Sequence, residues 1–215
     1  MGMTPTGVTF INQTLEWLLL SAFGVEDFQI IGGPNWLKSD RFDVIAKAAE
    51  GSTPSRAEIN QMFQQLLIER FKLVVRRETK VLPIYVLTMV KAGVLGERLR
   101  QSAVDCASPE MPAAVRRDRA QCDLRYGYES IEARGMPLSR LTESVASHVR
   151  RLIVDRTGLK GGFDFSIQFN RAGAPDSQHP SILGAFEEQL GLRLESTTGP
   201  VEVLTIDKAE HPTPN

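Results

Sequence analysis

Cysteine is nearly absent from this sequence: Cys106 and Cys122 are the only two. Two thiols cannot staple a small disulfide scaffold, and with no Cys or His near enough to form the usual ligand pairs they cannot complete a zinc site. Fifteen residues lie between them, in a polar, arginine-rich stretch. That spacing suits a disulfide, whose closure of a 15-residue loop is worth ~3 kcal/mol; it suits two independent thiols equally well. Histidine is almost as scarce, with three in 215 residues. None stands in H-x-x-x-H or H-E-x-x-H, so the local signature of zinc hydrolases is missing. Neither sign of charge dominates: 25 Lys and Arg against 26 Asp and Glu leave a net charge of -1. Nucleic-acid and anionic-membrane binding rest on a basic excess that this chain lacks. Long apolar runs are missing too. The densest, Leu15 to Phe23, is broken by Glu16 and Ser21 and is far shorter than the ~20 residues needed to span a bilayer. The opening residues, Met1-Gly2-Met3-Thr4-Pro5, contain neither the basic nor the apolar region of an export signal.

Several catalytic motifs are likewise missing. No G-x-S-x-G elbow presents a serine, and no G-x-x-x-x-G-K or G-x-G-x-x-G cradles a phosphate. Thr157-x-x-Lys160 imitates the spacing by which a lysine activates a hydroxyl, but Gly158 interrupts it and Gly161-Gly162 follow, so it reads as a turn. Basic clusters at Arg70, Lys72, Arg76, Arg77, Lys80 and at Arg116, Arg117, Arg119 lack interleaved aromatics and read as solvated surface.

What is present is an ordinary globular composition, 42% hydrophobic and 24% charged, organised twice in the same order. In the first half, Val8 and Phe10 begin a strand. A helix then runs from an N-cap at Thr14 to Gly24, apolar on most sides and therefore buried. Phe28–Ile31 and Arg41–Ala46 read as strands. The capping box Ser55-x-x-Glu58 opens a helix with Ile59, Met62, Phe63, Leu66 and Leu67 on one face. Phe71–Val75 and Ile84–Val90 read as two strands joined by a polar turn at Glu78-Thr79-Lys80. In the second half, Ile131 and Ala133 begin a strand, and Pro137 opens a helix with Leu138, Leu141, Val145 and Val149 inward. Ile153-Val154 is a short strand, and Phe163, Phe165, Ile167 and Phe169 alternate along another. Ile182, Leu183, Phe186 and Leu190 form a helix face stopped by Gly191. Two last strands, Leu192–Leu194 and Val201–Ile206, flank a turn at Thr198-Gly199-Pro200.

Individual positions correspond. Thr14-Leu15 matches Pro137-Leu138, Phe42-Asp43 matches Phe163-Asp164, and Phe71 matches Leu190; the offset drifts only from 123 to 119 residues. The expectation is an α+β fold of two tandem β-α-β-β-α-β-β repeats, helices packed on mostly antiparallel sheet. The first repeat spans 8–91 and the second 130–209. A variable linker, 92–129, carries the two cysteines, and a tail occupies 210–215.

Gly32-Gly33-Pro34-x-Trp36, Arg41-Phe42-Asp43, Glu69-Arg70-Phe71-Lys72-Leu73 and Pro83-x-Tyr85 resemble the first part of the soil-bacterial, acidobacterial family of domain-of-unknown-function number 3738. Val154-Asp155-x-Thr157-Gly158-Leu159-x-Gly161, Phe163-Asp164-Phe165, Glu188-Gln189-Leu190-Gly191-Leu192 and the ending Pro212-Thr213-Pro214-Asn215 resemble the remainder. The resemblance implies an exported protein, periplasmic or secreted, whose export signal is absent from this chain, although nothing in the residues themselves opposes a cytoplasmic location. It implies no particular activity. In element order, each half also resembles the short N-terminal module of secretins and TonB-dependent transducers, which binds other proteins.

The candidate site residues follow from these observations. Asp43 and Asp164, equivalent in the two halves, could with Asp155 bind calcium or another divalent cation; more simply, each lies on a solvent face or accepts amides of the turn preceding it. No cofactor is required. Trp36 reads as a lid on the core, with a ligand platform as the alternative. His148 lies near the apolar face of its helix, whereas His179 and His211 read as loop residues. The favoured expectation is an extracytoplasmic module that binds a protein partner or small molecule near Trp36, Asp43, Asp155 and Asp164, with no nucleic acid and no membrane insertion. The rival is a small, metal-dependent hydrolase of esters or lactones using His148 or His179 with Asp155; it requires a histidine and a carboxylate to converge in one pocket. A structural scaffold is the third reading.

Overall fold

The computed structural model describes residues 2–4, 7–49, 53–171 and 178–213; Pro214-Asn215 of the terminal motif lie outside them. The chain forms two compact units. One comprises the chain up to Lys80 together with the segment from Pro200 onward, and the other is Val81–Gly199.

In the first unit, β1 (Gly2–Thr4), β2 (Gly7–Thr14) and β4 (Arg41–Lys47) form an antiparallel sheet in the order β1-β2-β4. Between β2 and β4 come α1 (Leu15–Phe23) and the short β3 (Ile30–Gly32). The start and stop of α1 are both written locally. The Thr14 hydroxyl accepts from the Trp17 amide, and Gly24 closes the helix in the left-handed conformation at φ 63. Ser55 and Glu58 form the expected capping box of α2 (Arg56–Arg70). Leu15, Leu18, Leu19 and Ala22 of α1 pack with Ile59, Phe63 and Leu67 of α2 over Val8 and Phe10 of the sheet. Each fully buried side chain of this size contributes ~1.5–3 kcal/mol of transfer free energy. The residues expected to begin a strand at Phe28 instead make a 3-10 turn, Asp27–Gln29, because Glu26 and Gln29 cap each other's backbone amides.

The second unit contains β6 (Leu99–Gln101), α3 (Ala113–Arg117), β7 (Asp123–Tyr126), β8 (Ser130–Met136), α4 (Leu138–Val149), β9 (Ile153–Asp155) and β10 (Phe163–Gln168). It ends with α5 (Ile182–Ala185), continued by a π-helical turn to Leu190 and stopped at Gly191 with φ 67. Strands β6-β10-β8-β7 form an antiparallel sheet. Phe163, Phe165 and Ile167 of its β10 point to the buried side with Leu141, Val145, Phe186 and Leu190, and the intervening residues face solvent. Residues 92–129 thus supply both edge strands, β6 and β7.

A third sheet has the order β3-β11-β5-β9, with β5 (Val74–Met89) and β11 (Leu192–Lys208). Its β3–β11 and β5–β9 pairings are parallel, unlike the antiparallel pairings of the other two sheets. Here the structure corrects the sequence reading: each expected strand–turn–strand is one continuous strand. Glu78-Thr79-Lys80 has no glycine to supply a left-handed turn, and its carboxylate has partners in the extended form. Thr205 donates to Glu78 Oε1, with Arg76 and Lys80 paired to the same side chain. Gly199 has no positive φ; a Cβ there would lie 2.5 Å from Ile84 Cδ1. The backbone there is extended within β11 and does not turn.

The Thr205 hydroxyl first, then Lys80 and Arg76, hold the Glu78 carboxyl at about 2 against an ordinary 4.5. Because the folded value is depressed, its stabilisation is complete above 4.5 and is lost as pH falls towards about 2. In urea titrations across that range, Glu78→Gln should show a flatter dependence on pH than the native chain, the two converging at the acid end; parallel curves would contradict this account.

Candidate functional site

Asp43 and Asp164 do the same local work in their two units. The β2–β4 pairing slips register between Phe10 and Gln13, and within that bulge Asn12 adopts φ 57. Its amide donates to Asp43 Oδ1 at 2.7 Å. The β10–β8 pairing slips between Phe163 and Phe165, and on the β8 side Gly135 adopts φ 64, its amide donating to Asp164 Oδ1 at 2.9 Å. Bulging leaves an amide outside the ladder, and an amide without an acceptor is costly. The carboxylate therefore serves the facing strand, where the sequence reading put it on a solvent face or on the amides of the preceding turn; Asp43 is indeed exposed. Burial raises the pKa of Asp164, but the Gly135 amide, the Ser102 hydroxyl and Arg100 outweigh it and leave the group below its ordinary value. Gly135 also lies against the disulfide that joins Cys106 to Cys122: a Cβ there would fall 2.5 Å from Cys106 Sγ.

The other sequence candidates are dispersed. Trp36 and Asp43 belong to the first unit, Asp155 and Asp164 to the second. Asp155 Oδ1 accepts from both the amide and the hydroxyl of Thr157, an Asx turn leading into Gly158 at φ 74. His148 is exposed rather than inward; its Nδ1 lies 3.2 Å from Ser144 O and its ring meets Phe169 edge-on. His179 is half-buried. Among the described residues, no three His, Cys, Asp or Glu side chains come together to hold a metal ion, and no helix is long and apolar enough to cross a membrane.

Trp36 is where side chains converge. After Gly32-Gly33-Pro34, a 3-10 turn, Asn35–Lys38, folds so that the Asp40 amide donates to Trp36 O. This sets indole and carboxylate side by side. The Trp36 ring packs on Phe42 and Phe71, which meet each other edge-on at 4.9 Å. The chain's tail covers it. Glu210 is anchored by its amide to Phe71 O, and the His211 ring stacks on Trp36 at 4.1 Å between centroids. Nε2 of His211 lies 2.8 Å from Asp40 Oδ2. That bond, followed by one from the Ser39 hydroxyl, pulls the Asp40 carboxyl below its ordinary value. The order is Ser39–Asp40–His211, with the acid in the middle, so the imidazole is not placed to take the serine proton. Sequence reading missed the His211–Asp40 pair because 171 residues separate its members.

Past His211, Pro212 and Thr213 join Phe42, Val44, Leu66 and Phe71, with the charged Asp43 and Arg70, around a pocket of about 190 Å³. It runs beside β4, an edge strand of its sheet. Ile45 on that edge is 66% exposed. The second unit offers a different surface, a concavity of about 400 Å³ on the solvent face of β6-β10-β8-β7. There Arg100 pairs with Asp164, and Arg125 with Asp123. Acids and bases alternate across the strands, giving a face of balanced charge.

Asp164→Ala should destabilise the fold by about 1–3 kcal/mol, the cost of stranding the buried Gly135 donor, and Asp43→Ala by less, because the Asn12 amide is exposed and water can replace the carboxylate. Asp→Asn variants, which keep an oxygen acceptor, should recover most of the loss in urea denaturation. Alanine variants as stable as the native chain would show that the bulge amides need no acceptor.

Comparison with curated proteins and with solved structures finds no match. A family profile described as "Protein of unknown function (DUF3738)" matches residues 16–209, from the first turn of α1 to just past β11. Both aspartate-held bulge pairs, Trp36 and both long strands fall almost wholly within that span, and the chain belongs to the DUF3738 family.

Proposed function

We propose that the chain is an extracytoplasmic binding module, built from a duplicated α+β unit, which takes an extended segment of a protein partner along the outer edge of β4. One observation carries this reading. β4 ends its sheet, so among the described residues one row of its amides and carbonyls has no neighbouring strand, and a pocket of mixed apolar and charged lining, Phe42, Val44, Leu66 and Phe71 with Asp43 and Arg70, lies beside it. An added strand would gain main-chain hydrogen bonds from the edge and would place alternate side chains into the pocket. The chain's own Pro212 and Thr213 lie at the pocket already, so extended peptide fits there.

The duplication is supported by the recurrence of β2-α1-β3-β4-α2 as β8-α4-β9-β10-α5, with an aspartate-held bulge in each. On this reading the repeats are 8–91 and 130–209, as their element order gives them. An oxidising compartment is supported by the Cys106–Cys122 disulfide, because such bonds persist outside the cytoplasm. The likeness of each half to the secretin and TonB-dependent module points the same way, towards a protein partner over a small-molecule one.

Random peptides displayed on phage and selected on the oxidised protein test this. Selected peptides should carry apolar residues at alternating positions. Their affinity should fall about tenfold or more (~1.4 kcal/mol) in Ile45→Lys, which places a charge on the edge, and should be unchanged in Arg125→Ala on the second unit. Selection of no peptide, or of peptides indifferent to Ile45→Lys, would refute the proposal.

A further inference from the structure

The stack on Trp36 has the composition of a cation receptor. Three aromatic rings, Trp36, Phe42 and Phe71, lie within 6.4 Å of one another between centroids, and the Asp40 carboxylate stands at the open side. Aromatic faces attract organic cations through their quadrupole, and a flanking carboxylate orients the N–H groups. In this structure the occupant is the chain itself: the His211 ring lies over the indole at an interplanar angle of 29° and turns Nε2 to Asp40. Guanidinium is flat, as imidazole is, and stacks on aromatic planes while keeping N–H donors at its rim.

We infer that Trp36, Phe42, Phe71 and Asp40 form a receptor for a planar cationic side chain, that His211 is its internal occupant, and that the segment taken along β4 brings an arginine or histidine in its place. This rests on the strand-addition reading above, because the tail's path sets the register. Glu210 is tied to Phe71, His211 fills the receptor, and Pro212 and Thr213 run on to the pocket beside β4. A partner segment following that path puts one side chain into the receptor and its neighbours along the edge. The tail and the partner then compete, so the module is self-capped until a partner side chain displaces the His211 ring.

The test uses the full chain with His211→Ala, titrated with N-acetyl-arginine amide and, as the uncharged isostere, N-acetyl-citrulline amide. The Trp36 indole N–H is followed by heteronuclear NMR. Arginine amide should give a saturable shift in His211→Ala and bind the native chain about tenfold more weakly, since the internal occupant must first leave. Citrulline amide should give none. His211→Phe, which refills the receptor with an apolar ring, should bind arginine amide no more tightly than the native chain does. Equal binding to native and His211→Ala proteins, or equal binding of citrulline, would overturn the inference. The two proposals fail separately. Arginine binding in His211→Ala with no phage peptide on β4 would remove the strand-addition reading and leave the receptor; peptides on β4 with no basic residue beside Trp36 would do the reverse.

Discussion

A carboxylate turned onto the amide of a bulged neighbour decides how each antiparallel pair feeds its helix. At Asn12 and Gly135 the backbone enters the left-handed region, which breaks the ladder and redirects the chain. Two residues later the helix cap follows, Thr14 in one unit and Pro137 in the other. The bulge would leave an amide with no acceptor were it not for Asp43 and Asp164 on the facing strands. The residue types at the two bulges differ for a physical reason. Asparagine tolerates positive φ and has room at position 12. At position 135 the disulfide and the backbone of Gln121 crowd the site, and a Cβ has nowhere to go.

Much of this was legible in sequence because the signals are local. Thr14, Ser55-x-x-Glu58, Gly24 and Gly191 mark the helix boundaries where the structure has them, and the alternation of Phe163, Phe165 and Ile167 marks the inward side of β10. Phe42-Asp43 and Phe163-Asp164 stood out as a repeated pair, although what each carboxylate binds depends on a strand about thirty residues away. The long strands were misread because a polar triplet and a Gly-Pro step look the same whether the chain turns or is satisfied by cross-strand partners. Glu78 with Thr205, and Gly199 beneath Ile84, are pairings that no window of sequence contains. The spacing of His148 from Leu141 sets it near the apolar face, but it sits at the margin of that stripe and the helix exposes it. The convergence of Trp36, Asp40 and His211 joins residues from nearly opposite ends of the chain, and only folding brings them together.

The basic clusters illustrate why net charge alone says little about a surface. Arg76 lies between Glu78 and Asp207, and Arg77 pairs with Glu202. Pairs this exposed contribute little stability each, but they neutralise what would otherwise be a cationic stripe. What remains distinctive is backbone rather than charge. An exposed strand edge invites pairing, and proteins commonly guard one with charged residues or cover it. β4 carries Arg41 and Lys47 at its ends and Ile45 between them, with the tail held across its entrance by His211. That pattern is a guarded edge, open in the middle and capped at one end.

The repeated bulge is the claim on which the rest stands, and hydrogen exchange at two amides tests it most directly. The amides of Asn12 and Gly135 should both exchange slowly, in step with the strands that flank them, although neither belongs to a regular ladder. In Asp43→Asn and Asp164→Asn, which keep an acceptor, protection should weaken but persist; in the alanine variants it should vanish at the bulge amide while the flanking strands keep theirs. If Asn12 and Gly135 exchange in the native chain as fast as exposed loop amides, the carboxylates do not hold the bulges, and the two units do not share the constraint argued here.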